Sequence, residues 1–154
     1  MIRLQFVLGD AFSSRAIAWF SAGRLSHVDA ILPDGRLLGA RSDAADGKKG
    51  VQIRRANYEK WASRVVIEVP TNRSQEQAFY AFLMNQVGKP YDHMAIWGFV
   101  LNRAWREDDA WICSELQAAA MEEAGILPEL YSKVSKISPQ MLAVVATAIG
   151  GKEF

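Results

Sequence analysis

The chain has 154 residues and a formal net charge of +1, and half of its residues are apolar. These values are typical of one globular domain, and we interpret residues 1–154 as a single domain. We interpret the short basic pairs Lys48-Lys49 and Arg54-Arg55 as solvated loop charges, too few to bind a nucleic-acid backbone, so we expect no nucleic-acid partner.

The cysteine and histidine content argues against a metal centre. One cysteine cannot form an intramolecular disulfide, and two histidines leave few further ligands, so we expect no cofactor and no metal. The apolar run at the N-terminus is too short for a signal peptide. No stretch reaches the ~20 apolar residues of a membrane helix, which predicts a protein without an integral membrane segment that is cytoplasmic as synthesised.

The first half of the chain predicts mainly strands. The predicted elements are a strand at 2–9, a helix at 13–23, a hairpin at 27–41 and strands at 51–55 and 64–70. The hairpin is the firmest of these, because two apolar runs flank Pro33-Asp34-Gly35 and Asp-Gly is a strong tight-turn signal.

The second half predicts helices. They cover 74–89, 91–105, 110–125 and the segment from Ser138-Pro139 to Gly150. Ser74 would cap the first of them, with Gln77 as its capping-box partner. Strands followed by helices predict an α+β fold, with an antiparallel sheet packed against helices.

Cys113 falls in the first turn of the helix at 110–125. Free backbone N–H groups and the positive end of the helix dipole stabilise a thiolate at this position, as a nucleophile requires. The alternative is simple packing, because the thiol lies beside an apolar stripe. That stripe consists of Ile112, Leu116, Ala119 and Ala120.

A nucleophilic thiol also needs a base, and two histidines are available. His27 begins a predicted strand, so its ring could project from the end of the sheet. His93 lies in an apolar helical pattern at 91–105, where packing or solvent exposure is the favoured interpretation. We therefore expect His27 to be the partner of Cys113.

Three motifs carry a resemblance to a known family. "LSHVDAIL", "GKPYD" and "WICSEL" in this order resemble the circularly permuted, YiiX/YaeF-like branch of the NlpC-type papain-like cysteine hydrolases, in particular its small phage- or prophage-encoded members. The resemblance spans residues 3–125. It implies a permuted papain-like fold in which Cys113 is the nucleophile, His27 is the general base and the intermediate is a covalent thioester.

The third catalytic residue is less clear from the sequence. Relatives often have an acid on the strand after the histidine strand, where this chain has Gly39. The candidates are Asp29, which shares the face of His27 on a strand, and Ser42 and Asp43, which follow the second strand of the hairpin. Asp29 ranks first, and a Cys-His dyad without a third side chain is the alternative.

Two aromatic residues are candidates for the substrate side of the site. The resemblance implies that Tyr91, in "PYD", approaches the nucleophile and could join the N–H group of Cys113 as an oxyanion donor. Trp111 lies two residues before Cys113 and could stack on a substrate.

The predicted function is therefore a cysteine peptidase or amidase whose substrate is a peptide or another acyl compound, with cell-wall peptides as the expected target. A thiol acyltransferase or lipid acyl hydrolase would use the same chemistry. A non-catalytic phage or bacterial assembly or binding module on the same fold is a further alternative. Association with a virion or a phage protein, or release on lysis, would bring the protein to the cell wall. The sequence leaves the oligomeric state open.

Overall fold

A computed structural model describes residues 1–9, 25–92, 111–128 and 137–154. Within these ranges the fold is α+β, as predicted. The strands are β1 (Ile2–Gly9), β2 (His27–Ile31), β3 (Leu37–Arg41), β4 (Gly50–Arg54), β5 (Trp61–Val69) and β6 (Lys152–Glu153), and the helices are α1 (Arg73–Gln86), α2 (Cys113–Glu123) and α3 (Pro139–Ala148). The predicted helix at 13–23 lies outside the described residues, as does the predicted helix at 91–105 beyond Asp92.

The strands form one antiparallel sheet in the order β4-β3-β2-β1-β5-β6. Leu4 of β1 lies opposite Ala30 of β2 on one side and Ile67 of β5 on the other. Because side chains alternate along a strand, these apolar residues share one face, and Gln5 and its neighbour Asp29 share the other. The sheet therefore has an apolar face and a face that carries polar side chains.

The helices cover the apolar face and complete the hydrophobic core. Their buried contributions are Phe79 and Leu83 from α1, Leu116 and Met121 from α2, and Leu142 and Ala146 from α3. Helix α2 is buried at every residue from Cys113 to Ala118. The predicted stripe was therefore too narrow, and its member Ala119 is one of the partly exposed residues.

The hairpin of β2 and β3 is confirmed. The backbone N–H of Leu32 donates to the oxygen of Arg36 at 2.8 Å, and Gly35 N–H donates to the oxygen of Leu32 at 2.9 Å. This pattern leaves Pro33-Asp34-Gly35 as a three-residue loop. Gly35 has φ +83°, the left-handed conformation that such a loop requires at its last position.

The predicted cap of α1 was wrong. Asn72, not Ser74, is the N-cap residue: its side chain accepts a hydrogen bond from Gln75 N–H at 2.9 Å, and the Gln75 side chain accepts from Asn72 N–H at 3.1 Å. Helix α3 begins as predicted, because the Ser138 hydroxyl accepts from Met141 N–H at 3.1 Å and Pro139 occupies the first helical position.

Strand β4 lies at one edge of the sheet, and the chain after α1 covers it. Val51 N–H donates to the oxygen of Lys89 at 2.9 Å, and Gly88 N–H donates to the oxygen of Val51 at 2.8 Å. Gly50 has φ +73°, and a Cβ at this position would overlap the Lys89 carbonyl oxygen. The glycine thus permits the close approach of the two segments. At the opposite edge, β6 consists of two residues.

Candidate active site

His27 and Asp29 occupy alternate positions at the start of β2, so their side chains lie on the same face of the sheet. The His27 Nε2 atom lies 2.9 Å from Asp29 Oδ1, and both side chains are buried. A hydrogen bond of this length fixes the ring orientation, because the carboxylate accepts a proton at Nε2. Nδ1 is then the ring nitrogen left for another partner.

Cys113 is the first residue of α2 and is also buried. Cys113 contributes to the raised pKa of His27, which places the thiol close to the imidazole. The first helical hydrogen bond of α2 runs from Leu116 N–H to the oxygen of Ile112. The N–H groups before it point beyond the helix end, where they favour a negative sulfur. The structure thus brings Cys113, His27 and Asp29 together in one site.

The charges of this group favour an imidazolium. Burial lowers the pKa of His27, but the charges of Asp29 and Cys113 and the hydrogen bond to Asp29 outweigh this effect and raise the pKa to about 9. Burial alone would raise the pKa of Asp29, but His27, the Tyr58 hydroxyl and the charge of Arg54 lower it overall. At neutral pH the pair is therefore an imidazolium and a carboxylate.

The Asp29 carboxylate occupies space beside β3 that is free because residue 39 is a glycine. The pairing of Ala30 with Leu38 places Asp29 opposite Gly39. A Cβ at Gly39 would overlap Asp29 Oδ1 and would lie 3.0 Å from its Cγ. Position 39 thus lacks a side chain, and a carboxylate from the neighbouring strand fills the volume.

The second oxygen of Asp29 contacts Tyr58, in the connection between β4 and β5. The Tyr58 hydroxyl donates to Asp29 Oδ2 at 2.9 Å, and Arg41 Nη1 donates to the same hydroxyl at 3.2 Å. Arg41 in turn forms ion pairs of 2.7 Å with Asp43 and with Glu59. The polar network therefore continues from Asp29 to the edge of the described site.

The side chain of Arg54 binds the backbone around this network. This side chain is almost fully buried, which corrects the interpretation of Arg54-Arg55 as two solvated charges. The guanidinium donates to five backbone carbonyl groups within 3.4 Å. They belong to Gly39, Ala45, Lys48, Gly50 and Gln52. These bonds join β3, β4 and the 3-10 helix at Ala45–Gly47 behind Asp29.

Two of the candidates for the third residue form no hydrogen bond with the described His27 ring. Ser42 is exposed and forms no hydrogen bond with another described residue, because the chain leaves the sheet after Arg41. Asp43 is held in a bidentate pair by Arg41 Nε and Nη2, both at 2.7 Å. Of the three predicted candidates, Asp29 alone is hydrogen-bonded to the His27 ring in the described part of the chain.

Tyr91 and Trp111 pair with each other through their backbones but point to different surroundings. Burial raises the pKa of Tyr91, and the charge of Cys113 raises it further, which places the phenol near the sulfur. The Trp111 indole donates to Gln86 Oε1 at 3.1 Å and packs edge-on against Phe82 of α1. The contacts described for Trp111 thus lie on the α1 side of α2.

Among solved structures, one with a similar fold is the crystal structure of the metalloprotein yiiX from Escherichia coli O157:H7. It matches this chain with a TM-score of 0.70 at 16% sequence identity, and the match covers 99% of this chain and 94% of that chain. This protein has a YiiX-like fold. At this level of identity the likeness concerns the fold alone. No protein-family model and no curated protein matches the sequence.

Three residues of the site in this YiiX-like fold were not indicated by the sequence. Tyr58 follows β4 in a polar stretch without a motif, and Arg41 and Arg54 resemble ordinary surface arginines. The positions of the two arginines gave one indication of burial, because both lie at the ends of predicted strands. No helix in the described segments is long and apolar enough to span a bilayer.

Proposed function

We propose that this protein is a cysteine hydrolase of the peptidase or amidase type, with Cys113 as the nucleophile, His27 as the general base and Asp29 as the residue that orients His27. The observation that carries the proposal is the placement of the thiol at the start of α2 close to an imidazole that lies 2.9 Å from a buried carboxylate. The order of the "LSHVDAIL" and "WICSEL" motifs supports the same assignment on a permuted papain-like fold.

The first chemical step is acyl transfer to sulfur. In the resting site the thiol proton lies on His27, which agrees with the raised pKa of the imidazole, and the Cys113 thiolate attacks the carbonyl carbon of the substrate. Negative charge develops on the carbonyl oxygen, where the N–H groups of the first turn of α2 can donate hydrogen bonds. The Tyr91 hydroxyl is a second candidate donor, because its pKa reflects the nearby Cys113.

The second step releases the product. The imidazolium gives its proton to the leaving amine or alcohol, the carbon–nitrogen or carbon–oxygen bond breaks, and a thioester remains on Cys113. Water then attacks the thioester while His27 accepts its proton, which yields the acid and restores the thiol. Asp29 keeps its negative charge throughout and stabilises each imidazolium.

The substrate class follows from the resemblance to the NlpC-type hydrolases. We propose a peptide or amide of the bacterial cell wall as the substrate, and a phage or prophage origin for the chain. Transfer of the acyl group to an amine or alcohol would use the same residues, so the acceptor distinguishes the two reactions. The oligomeric state and a virion partner stay outside this proposal.

A metal ion has no part in the proposed mechanism. The yiiX structure is described as that of a metalloprotein, so we compared the donor groups of this chain. Among residues 1–9, 25–92, 111–128 and 137–154, no group of three His, Cys, Asp or Glu side chains is arranged so that it could hold one metal ion. Nε2 of His27 is already bonded to Asp29. The described residues do not fit a metal centre.

The test uses the single cysteine of the chain. We expect alkylation at Cys113 in the unchanged protein and none in Cys113→Ser. Iodoacetamide should alkylate Cys113 faster than a free peptide thiol, and His27→Gln should slow the reaction about tenfold or more. Intact-mass spectrometry after mixing with activated acyl esters and with muropeptides should show an acyl adduct on Cys113.

One result would contradict the enzyme proposal. If Cys113 shows ordinary thiol reactivity at neutral pH and no ester or muropeptide leaves an adduct, the acyl-enzyme does not form. The non-catalytic assembly module on the same fold would then be the better interpretation.

A further inference from the structure

We propose that Tyr58 is a positioning residue of this site, which holds the Asp29 carboxylate in the orientation that His27 requires. The inference rests on the proposed function and extends it by one residue beyond Asp29. The sequence motifs do not include Tyr58, and neither Cys113 nor the His27 ring has a described contact with it. It would act through Asp29.

The first argument is the division of the carboxylate between two partners. Oδ1 of Asp29 lies 2.9 Å from His27 Nε2, and Oδ2 lies 2.9 Å from the Tyr58 hydroxyl. A carboxylate with a partner on each oxygen cannot rotate about its Cβ–Cγ bond without breaking both bonds. The hydroxyl thus restrains the angle at which Oδ1 faces the imidazole.

The second argument is that the direction of the hydrogen bonds is fixed. Arg41 Nη1 lies 3.2 Å from the Tyr58 oxygen, and a guanidinium can donate but cannot accept. The tyrosine oxygen must therefore accept from Arg41, and its one proton is directed to Asp29. Burial and the charge of Asp29 raise the pKa of Tyr58, so the hydroxyl keeps this proton.

The third argument is that the Tyr58 ring is itself held in place. The Arg41 guanidinium lies 5.3 Å and the Arg54 guanidinium 5.8 Å from the ring centroid. The Trp61 ring packs edge-on at 5.3 Å. A ring fixed by two cations and an aromatic neighbour presents its hydroxyl with little conformational freedom.

The charged groups around this site predict the sign of the effect. Asp29, Cys113 and, more remotely, Asp43 face His27, while Arg54 and Tyr58 face Asp29. Removal of the Tyr58 hydroxyl frees Oδ2, so the carboxylate can turn away from the imidazole. The contact that raises the pKa of His27 then weakens, and that pKa falls towards its ordinary value.

The experiment compares Tyr58→Phe with Tyr80→Phe. Both changes remove one partly buried hydroxyl, but Tyr80 donates at 2.9 Å to the backbone oxygen of Ile31, at the far end of β2 from His27. We expect Tyr58→Phe to lower the pKa of His27, measured by NMR of labelled imidazole, and to slow iodoacetamide alkylation of Cys113 about tenfold. Tyr80→Phe should change neither quantity. The variant His93→Gln assigns the two histidine signals.

A pKa of His27 that stays unchanged or rises in Tyr58→Phe would overturn the positioning role. If that variant does not fold, the unchanged protein supplies the test, because the Tyr58 hydroxyl proton should exchange slowly and its NMR signal should move as His27 titrates. A hydroxyl proton that exchanges at the solvent rate would contradict the proposal. Neither measurement needs a substrate. The positioning role of Tyr58 can therefore fail while acyl transfer to Cys113 is observed, and acyl transfer can fail while the positioning role is observed.

Discussion

The Oδ1 atom of Asp29 occupies the volume that a side chain at Gly39 would need. The two residues face each other across β2 and β3, and the carboxylate reaches His27 from within this space. The glycine is therefore required by its neighbour, since its own backbone does not have a positive φ. The carboxylate beside His27 therefore comes from β2, and β3 leaves room for it.

We predict that Gly39→Ala displaces the Asp29 carboxylate from His27. The added Cβ would overlap Oδ1, so the variant should lose about 1–3 kcal/mol of unfolding free energy and about tenfold in the alkylation rate of Cys113. Urea denaturation and iodoacetamide kinetics measure the two effects.

The control is the same change in an Asp29→Gly background. Without the carboxylate the new methyl group has no Oδ1 atom to overlap, so Gly39→Ala should lower the unfolding free energy much less in this background. A double-mutant cycle measures the difference as a coupling energy. An equal cost in both backgrounds would show that the methyl group collides with something other than Asp29.

A related prediction concerns the exchange of the two residues. Asp29→Gly alone should slow the alkylation of Cys113, because His27 loses its carboxylate. The double variant Asp29→Gly/Gly39→Asp returns a carboxylate to the same space from β3 and should recover part of the rate. We expect the pKa of His27 to rise again in the double variant, which NMR titration can follow. No recovery of either quantity would mean that β3 cannot present the group.

The pKa of His27 predicts how stability depends on pH. Because the pKa rises from 6.5 to about 9 on folding, the folded state binds more protons than the unfolded state between these values. This stabilisation is complete below pH 6.5 and is lost as the pH rises through about 9. At about 1.36 kcal/mol per pH unit, the unfolding free energy should fall by roughly 3 kcal/mol over this window.

Denaturation at several pH values checks this prediction, with His27→Gln as the control. Glutamine can still donate to Asp29 but does not titrate, so the decrease between these pH values should largely disappear. A decrease of the same size in His27→Gln would assign it to another group.

The adjacent arginines 54 and 55 should respond very differently to lysine. The guanidinium of Arg54 donates to five carbonyl groups in a buried site, and an ammonium group cannot reach them all. Arg54→Lys should therefore lose about 2 kcal/mol or more of unfolding free energy. Arg55 is exposed and pairs with Asp46, so Arg55→Lys should stay within about 0.5 kcal/mol. Similar losses in thermal or urea denaturation would contradict the buried role of Arg54.

The start of α1 offers a second pair of variants. Asn72→Ala removes the side chain that accepts from Gln75 N–H and should cost about 1 kcal/mol of unfolding free energy. Ser74 is exposed and lies inside the helix, so Ser74→Ala should be neutral or slightly stabilising. Urea denaturation distinguishes the two assignments, and a larger loss in Ser74→Ala would restore the cap that the sequence predicted.

Local signals in the sequence predicted the parts of the fold that depend on local chemistry. Pro33-Asp34-Gly35 predicted the hairpin because the turn requires a positive φ at its glycine. Ser138-Pro139 predicted the start of α3 for a similar reason. The Asn72 cap was missed because Ser74 offers an equally plausible pattern two residues later. Strand β6 has two residues and depends on its pairing with β5, so no periodicity could indicate it.

Only part of the candidate site could be predicted from the sequence. The two-residue spacing of His27 and Asp29 indicates a shared face, because alternation on a strand is local. The burial of Arg54 depends on carbonyl groups from three segments that meet only in the folded chain. Tyr58 reaches Asp29 from a connection between strands, across 29 positions of sequence, and nothing in its neighbourhood marks that contact.

The segment at Gly88-Lys89 has a consequence for solubility. A strand at the border of a sheet can recruit a strand from another molecule, which is a common route to aggregation. Val51 already gives its outward N–H and carbonyl groups to this segment. A variant with a side chain at Gly50 would push the segment away and expose those groups, so it should precipitate at concentrations where the natural chain remains dissolved.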